Sequence, residues 1–371
     1  MLRCSRCVLD DSVPDLSLDD KGVCRYCHIH DDMCRQYPLP GDTTLQAIAA
    51  DVVAEGAGRA VNCIVGLSGG RDSCYLLYLA KHVLGLRPAA VSFDNGWDTE
   101  KATANQRTMV KALNVPHKVY GMDTEEYDGI LRAFLEAGVP DADIANDIAI
   151  TRVLYQAADD FGVKYILDGH CFRTEGIAPL GWTYMDGQYI KSVCAGKVAL
   201  RTFPNLELDY WLPRLEIKRP RFLYHMDYRK NDIADFLTRR FGWQWYGAHH
   251  AENLYTKWVS SVWLPMRFGI DKRKVELSAL VRSGQMARDA ALAELSTAVP
   301  MAGHFALSMQ VMDRLALRPR EMMALLNAPH RTHHAFETYQ AYFRAHRAEF
   351  EHMAAEGKVP MSFVRKYCGE P

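Results

Sequence analysis

Apolar and polar positions follow two different periods along the middle of the chain. Short apolar runs alternate with longer segments that carry apolar residues at helical spacing. This pattern predicts strands over 61–67, 89–94, 117–122 and 164–168, and helices over 43–57, 73–84, 99–113, 126–137 and 147–161. Strands that alternate with helices are typical of a parallel sheet with right-handed crossovers. We therefore expect an α/β fold with a doubly wound parallel sheet.

The pattern changes towards both ends of the chain. Two pairs of cysteines precede residue 40, and Pro38-Leu39-Pro40-Gly41 has the composition of a connector. The later part has a mainly helical pattern, with helices expected over 230–241, 285–296 and much of 305–367. We predict an N-terminal metal-binding module over 1–40, an α/β domain over 41–240 and a mainly helical region over 241–371 for substrate or partner contacts.

Composition narrows the class of protein. The 371 residues are 49% hydrophobic and 24% charged, with a net charge of −1. This balance gives no overall basic surface for nucleic acid, so a nucleic-acid partner is not expected. The sequence shows neither an apolar signal segment nor an uncharged stretch that would span a bilayer. We expect a cytoplasmic protein without a membrane partner.

Four of the ten cysteines form two Cys-x-x-Cys pairs near the N-terminus, Cys4 with Cys7 and Cys24 with Cys27. Four thiolates at this spacing are typical of a zinc-ribbon module that holds a structural Zn²⁺ ion. A redox pair and an iron–sulfur site are the alternatives. A closed four-thiolate site would stabilise the fold without taking part in chemistry.

A glycine-rich loop joins the first predicted strand to the next helix through Gly66-Leu67-Ser68-Gly69-Gly70-Arg71-Asp72-Ser73. Free backbone N–H groups at a helix N-terminus favour an anion, and glycines let phosphate oxygens approach. The spacing fits neither a Walker A loop nor a dinucleotide-binding fingerprint. The loop resembles the PP-loop of ATP pyrophosphatases, which cleave ATP to AMP and pyrophosphate. Under this resemblance residues 41–240 form a PP-loop (HUP-like) domain, and Arg71 replaces a lysine common in that superfamily.

Polar residues also follow two later strands. Asp94 ends the second, and Gly169 and His170 follow another, at the sheet edge where such folds bind ligands. Asp94 is a candidate for a ribose hydroxyl or Mg²⁺, although an isolated aspartate also suits a turn or a helix cap. The predicted ATP-binding residues are Gly66, Ser68, Gly69, Gly70, Ser73, Asp94, Gly169 and His170, and the predicted catalytic residues are Arg71, Asp72 and Ser73, with Asp72 also a Mg²⁺ ligand.

Further motifs extend the resemblance along the chain. They include Asp94-Asn95-Gly96-Trp97, Ala137-Gly138-Val139-Pro140-Asp141, Thr174-Glu175, Phe268-Gly269-Ile270-Asp271-Lys272-Arg273 and Ser283-Gly284-Gln285-Met286. Together with the cysteine pairs and the loop, they resemble the bacterial N-acetyl sugar amidotransferase family of surface-polysaccharide and nonulosonic-acid pathways. The resemblance runs from Cys4 to about Leu295.

The family resemblance implies an activity. An N-acetyl group on a nucleotide-activated sugar is adenylated by ATP with Mg²⁺, and ammonia then converts it to an acetamidino group. The chain shows no glutaminase motif, so a separate glutaminase is the expected ammonia source. The resemblance suggests substrate contacts by Arg173, Glu175, Lys272 and Arg273, with surface ion pairs as the alternative for each. His249 and His250, which are followed by Glu252, are candidates for acid–base catalysis. The alternative is that the two histidines are structural.

Two other functions remain open. A PP-loop tRNA sulfurtransferase also adenylates a carbonyl and often carries cysteine-rich modules, and Cys171 beside His170 is the residue that favours it. The segment 214–230 is basic with interleaved aromatic residues, which suits nucleic acid or a sugar nucleotide. The second alternative is a nucleotide-binding subunit of a larger synthase, against which the intact loop argues.

Overall fold

The computed structural model describes residues 2–14, 16–179, 182–247, 251–297 and 301–369. Within these residues a parallel four-stranded sheet is formed by β1 (Cys63–Gly66), β2 (Pro88–Asp94), β3 (His117–Gly121) and β4 (Ile166–Leu167). The strand order is β3-β2-β1-β4. The chain runs outward from β1 to β3 and then crosses to the other side of β1. The predicted α/β class with a parallel sheet is confirmed, and its switch point lies between β1 and β4.

Burial explains why the central strands are almost wholly apolar. Helices cover both faces of the sheet, so β1 is buried from Cys63 to Val65 and β2 from Pro88 to Phe93. The edge strand β3 is only partly buried. The strands align with Ile64 beside Ile166 and Gly66 beside Val91, which brings the carboxyl ends of β1, β2 and β4 to one edge.

The helices agree with the sequence pattern in the middle of the chain, and their ends carry recognisable caps. Asp123 accepts a hydrogen bond from Glu126 N at the start of one helix, and Gly162 ends another in the left-handed region. The helices are α1 (Arg25–Gln36), α2 (Asp42–Glu55), α3 (Arg71–Tyr78), α4 (Glu100–Leu113), α5 (Thr124–Ala137), α6 (Ile144–Phe161), α7 (Phe172–Glu175), α8 (Gly187–Cys194), α9 (Leu208–Trp211), α10 (Lys230–Phe241), α11 (Leu254–Trp258), α12 (Arg273–Arg282), α13 (Arg288–Ser296), α14 (Met301–Arg314), α15 (Pro319–Asn327), α16 (Gln340–Ala345), α17 (Arg347–Ala355) and α18 (Met361–Tyr367).

Several elements differ from the prediction. The strand expected over 164–168 is paired only at Ile166 and Leu167, and the helix expected over 73–84 starts at Arg71 and continues after Tyr78 as a π-helical turn. A second π-helical segment, Val259–Phe268, contains Pro265. The sequence pattern did not indicate α1, α8, α11 or α12. Their apolar faces pack on neighbouring elements, which single-sequence periodicity does not reveal.

The two ends of the chain pack against its middle. One continuous hydrophobic core includes Cys4, Ile64, Trp263 and Cys368, so side chains from all three predicted regions share it. The boundaries at 40 and 240 stay predictions about folding units. Among the helices the structure describes, none has the length and apolar character needed to cross a membrane.

Candidate active site and metal site

The glycine-rich loop is closed by hydrogen bonds between its own side chains and backbone. Ser73 Oγ donates to Gly70 O at 3.1 Å and accepts from Ser68 N at 3.3 Å. Gly70 N donates to Ser68 Oγ at 3.2 Å. Helix α3 begins directly after Gly70, so its free N–H groups face the loop. The predicted strand–loop–helix context is confirmed, and it suits an anion such as a phosphate.

Gly69 lies against helix α4 so closely that only glycine fits. Its φ is +79°, and a Cβ built there would lie 2.1 Å from Ala102 O. The Gly69 carbonyl accepts hydrogen bonds from Asn105 Nδ2 at 3.1 Å and from Trp243 Nε1 at 3.0 Å. Helix α4 and a distant tryptophan therefore hold the loop backbone in place.

Three oxygens converge above Gly70. A Cβ at this glycine would lie 3.0 Å from Ser68 Oγ, 3.2 Å from Tyr246 Oη and 3.3 Å from Glu252 Oε1. Glu252 Oε2 is buried and has no hydrogen-bond partner among the described residues. No sequence signal indicated Tyr246 as a neighbour of the loop, because it lies far along the chain. His249 and His250, proposed beside Glu252, lie outside the described residues.

Arg71 and Asp72 are held by each other and by later residues. Arg71 is only 5% exposed, and its Nε donates to Asp72 Oδ1 at 3.1 Å. Tyr228 Oη also donates to Asp72 Oδ1. Burial lowers the pKa of the nearby Lys230 to about 8, and Lys230 pairs with Glu276. Arg71 is thus held within a buried network of hydrogen bonds and charges, and its side chain does not project freely from the loop.

Two carboxylates, Asp72 and Glu175, lie close enough at the switch point of the sheet to interact electrostatically. Glu175 accepts from Cys171 N at 3.0 Å, and its pKa is raised well above the usual range by burial and then by the charge of Asp72. A Cβ on Gly169 would lie 3.7 Å from the backbone of Asp72, so β4 ends beside the glycine-rich loop. Two carboxylates that repel each other suit a shared divalent cation, and oxygen ligands are those that Mg²⁺ prefers.

His170 has a fixed orientation at the end of β4. Its Nδ1 lies 3.1 Å from Arg221 Nη1, which can only donate, so the ring proton is assigned to Nε2. Nε2 lies 3.7 Å from Glu175 Oε2. Burial opposes ionisation of the preceding Asp168, but the charges of Arg221 and Arg219 hold its pKa below the usual range. The cations of segment 214–230 nearest β4 thus pair with a carboxylate of the protein.

Asp94 lies at the exposed end of β2 and forms a turn. Its Oδ1 accepts from Gly96 N at 2.9 Å, while Arg314 from α14 donates to Asn95 O at 3.1 Å and to Gly96 O. The turn that the sequence offered as the alternative is therefore present, and the carboxylate remains on the edge that carries the loop. A role of Asp94 towards ATP stays a prediction.

The residues expected to contact substrate lie in different surroundings. Arg173 is 6% exposed and donates to Tyr224 O and Tyr37 O, each at 2.7 Å, which gives it a structural role. Arg273 pairs with Asp271 at 2.8 Å. Lys272 is more accessible, with Nζ 3.7 Å from Asp143 Oδ2. Substrate contacts by these residues stay predictions.

Cys171 is fully buried, and its environment is unreactive. Burial raises its pKa to about 12, and its Sγ lies 3.6 Å from Leu223 O. Cys63 is equally buried, and its pKa is also raised to about 12. A reactive cysteine needs a stabilised thiolate and access to its partner. The feature that favoured sulfur transfer is therefore a small packing residue.

The four N-terminal cysteines form a metal-binding geometry. Their sulfurs lie within 4.8 Å of one another, with Cys4–Cys27 at 3.8 Å and both Cys7–Cys24 and Cys24–Cys27 at 3.7 Å. A tetrahedral ion with Zn–S bonds of about 2.3 Å separates its sulfurs by about 3.8 Å. The distances fit Zn²⁺ and are far too long for disulfides. Cys4, Cys7, Cys24 and Cys27 are thus a candidate structural zinc site.

Comparison with known families identifies the distal part of the chain. Residues 252–349 match the family model described as "LPS biosynthesis protein WbpG-like, C-terminal domain". Over these residues the resemblance to a surface-polysaccharide family is confirmed. The matched range contains Lys272, Arg282 and Arg314, and it extends past the last motif placed from the sequence.

The similar proteins are remote. A 113-residue segment is 27% identical to an uncharacterized protein of Methanocaldococcus jannaschii, covering 30% of this chain and only 39% of that protein. Among solved structures, NMN synthetase from Francisella tularensis is 14% identical over 57% of this chain and 90% of its own, with a TM-score of 0.27. The NH3-dependent NAD synthetase from Campylobacter jejuni is 14% identical over 72% of this chain and 96% of its own, with a TM-score of 0.29. The fold assignment rests on the strand order of this chain.

Proposed function

We propose that this protein is an ATP-dependent amidotransferase of bacterial surface-glycan biosynthesis. It converts an N-acetyl group of a nucleotide-activated sugar to an acetamidino group and releases AMP and pyrophosphate. The observation that carries the proposal is the closed glycine-rich loop beside the Asp72–Glu175 pair, in a chain whose residues 252–349 match a lipopolysaccharide-biosynthesis family. The loop supports the use of ATP, and the family match supports a sugar substrate.

The chemistry has two steps. The acetamido oxygen attacks the α-phosphorus of ATP and displaces pyrophosphate, which converts a very poor leaving group into AMP. Ammonia then adds to the imidate carbon, AMP departs, and a proton is lost to leave the amidine. The loop amides with Ser68 and Ser73 are assigned to the pyrophosphate, because they surround the N-terminus of α3.

The remaining roles are assigned from the position of each side chain at the sheet edge or, for Lys272, from its charge. Asp72 and Glu175 would hold Mg²⁺, which neutralises phosphate charge when bound. His170 and Asp94 are assigned to the nucleotide, and Lys272 is assigned to an anionic group of the sugar. Ammonia is proposed to come from a separate glutaminase.

Mass spectrometry tests the proposal directly. The protein is incubated with Mg·ATP, ammonium and a diacetamido sugar nucleotide, and AMP and pyrophosphate are quantified in the same reaction. We expect a product in which one carbonyl oxygen has become NH, with one AMP per product. Asp72→Asn should lower the rate by roughly 100-fold, since it removes a charged ligand from the proposed Mg²⁺ site. The surface variant Asp160→Asn, whose carboxylate pairs with Lys118, is the matched control.

The result also separates the alternatives. No AMP with a panel of such sugars, combined with AMP formation on tRNA and a sulfur donor, would contradict the proposal and favour a sulfurtransferase. The buried Cys171 makes that outcome unexpected.

A further inference from the structure

A buried guanidinium lies directly against the cysteine cluster. Arg282, the last residue of α12, is 8% exposed. Its Nε donates to Cys27 Sγ at 3.3 Å, and its Nη2 lies 3.2 Å from Cys7 Sγ and 3.8 Å from Cys24 Sγ. Three of the four sulfurs thus receive N–H groups from one side chain that is distant in the sequence.

The charges of this arrangement are complementary only when the thiols are ionised. Within the described ranges, no carboxylate forms an ion pair with Arg282. An unpaired buried cation is strongly destabilising, and neutral thiols offer it only weak acceptors. Four thiolates around a divalent ion carry a net charge of −2, which Arg282 reduces to −1. The guanidinium is therefore placed for the metal-loaded form of the cluster.

The residues that follow Arg282 reach the candidate active site. Ser283 Oγ donates to the carbonyl oxygen of Arg173, within α7, at 2.8 Å. Gln285 Nε2 donates to Tyr228 O at 3.0 Å, and Gln285 Oε1 accepts from Lys230 N at 3.1 Å. Tyr228 in turn donates to Asp72, so a short segment connects the cysteine cluster to the glycine-rich loop.

We propose that Arg282 is a positioning residue that balances the charge of the cysteine-bound metal. Through the segment Arg282–Gln285, the bound metal also keeps the backbone around Tyr228 and Lys230 ordered. The inference does not need the proposed reaction. It concerns how residues of this chain respond to the bound metal, whichever substrate the active site accepts.

Metal binding tests the first half of the proposal. Zinc release to a chromogenic chelator is measured for the full chain and for Arg282→Met, with Arg288→Met as the matched control. Arg288 also contacts this module, but it donates to the carbonyls of Cys7 and Cys4 and not to sulfur. We expect Arg282→Met to bind zinc about 10- to 100-fold more weakly, the range typical of lost outer-shell hydrogen bonds.

Spectroscopy distinguishes the sulfur contacts from a general loss of stability. In the Co²⁺-substituted protein, removing N–H···S bonds makes the thiolates more electron-rich, so the sulfur-to-cobalt band should move to longer wavelength in Arg282→Met and not in Arg288→Met. Arg282→Lys keeps the charge with fewer directed donors and should give an intermediate shift, which keeps the test decisive if Arg282→Met does not fold. An unchanged band and unchanged zinc affinity in both Arg282 variants would overturn the proposal.

Hydrogen exchange tests the second half. After chelation of the metal from the unmodified protein, amides of 171–176 and 226–230 should exchange at least about tenfold faster, while those of α5 stay unchanged. Loss of protection confined to the first 40 residues would show that the metal supports only the N-terminal module and would overturn the coupling. None of the three measurements uses catalysis, so failure of the proposed function leaves the result interpretable.

Discussion

Single residues decide the shape of the glycine-rich loop. Gly69 adopts a left-handed conformation and touches the backbone of α4, whereas Gly58 has a similar φ of +74° and open space within 4 Å of the position that a Cβ would occupy. The two glycines therefore separate the cost of the backbone conformation from the cost of a steric clash.

Replacing Gly69 with alanine should abolish ATP binding and destabilise the fold, because the Cβ would lie 2.1 Å from Ala102 O. Gly58→Ala carries only the conformational cost of about 1 kcal/mol and should bind ATP normally. Calorimetry of ATP binding and urea unfolding of both variants check this prediction. Equal ATP affinity in the two variants would show that the contact with Ala102 is unimportant.

A buried aspartate predicts a dependence of stability on pH. Burial raises the pKa of Asp141 to about 7, despite a hydrogen bond from Tyr184 N at 2.8 Å. Between its ordinary pKa of 3.8 and about 7, the folded state holds more protons at this site than the unfolded state. The contribution of Asp141 to the free energy of unfolding should therefore fall as pH rises through this window.

Asp141→Asn removes that titration and keeps an oxygen for Tyr184 N. The difference in unfolding free energy between the variant and the parent should change by at most about 1.4 kcal/mol per pH unit in the window, in favour of the variant as pH rises. Urea unfolding across the pH range measures it. A constant difference would contradict the raised pKa.

At the scale of elements, helix α4 supports the glycine-rich loop. Thr99 caps the N-terminus of helix α4, where its side chain accepts from Ala102 N at 3.2 Å, and Asn114 caps the other end in the left-handed region. Its first two turns supply Ala102 and Asn105, which support Gly69. Capping and site geometry are thus linked in this helix.

Two cap variants test that link. Thr99→Ala and Asp123→Ala each remove one N-terminal cap and should each destabilise the protein by about 1 kcal/mol. Only Thr99→Ala alters the support of the glycine-rich loop, so only this variant should weaken ATP binding. Urea unfolding and ATP titration of the pair give the answer, and equal ATP affinities would mean that the cap does not influence the loop.

At the scale of the whole molecule, helix α14 near the C-terminus supports the turn that follows β2. Arg314 of α14 donates to the turn after β2 and to Asp128 Oδ2 at 2.9 Å, and it stacks 4.0 Å from the Trp97 ring. The segment matched to the lipopolysaccharide-biosynthesis family therefore contacts the part of the sheet that carries Asp94.

Arg314→Met should weaken binding of the nucleotide or sugar at least about tenfold, because the turn at Asn95 loses its charged donors. Arg318→Met is the control, since that side chain is 82% exposed and pairs only with Glu321 among the described carboxylates. Binding titrations of both variants check the expectation. Equal binding by Arg314→Met and the parent protein would show that the β2 turn does not need the hydrogen bonds from Arg314.

The sequence alone determined the features that depend on neighbouring residues. The alternation of strands and helices, the glycine-rich loop before α3 and the two cysteine pairs follow from local periodicity, backbone freedom and ligand spacing. These features were enough for the fold class and for the position of the glycine-rich loop. Strand length was less predictable, as β4 shows, because pairing partners set it.

Tertiary structure decided which side chains complete the site. Tyr228, Tyr246 and Glu252 reach the loop, and Arg282 reaches the cysteines, across long separations in sequence. It also buried Arg173, which the resemblance had suggested as a substrate contact, and Cys171, which had favoured sulfur transfer. Burial and charge pairing depend on every element packed around a residue, and a single sequence records only the neighbours along the chain.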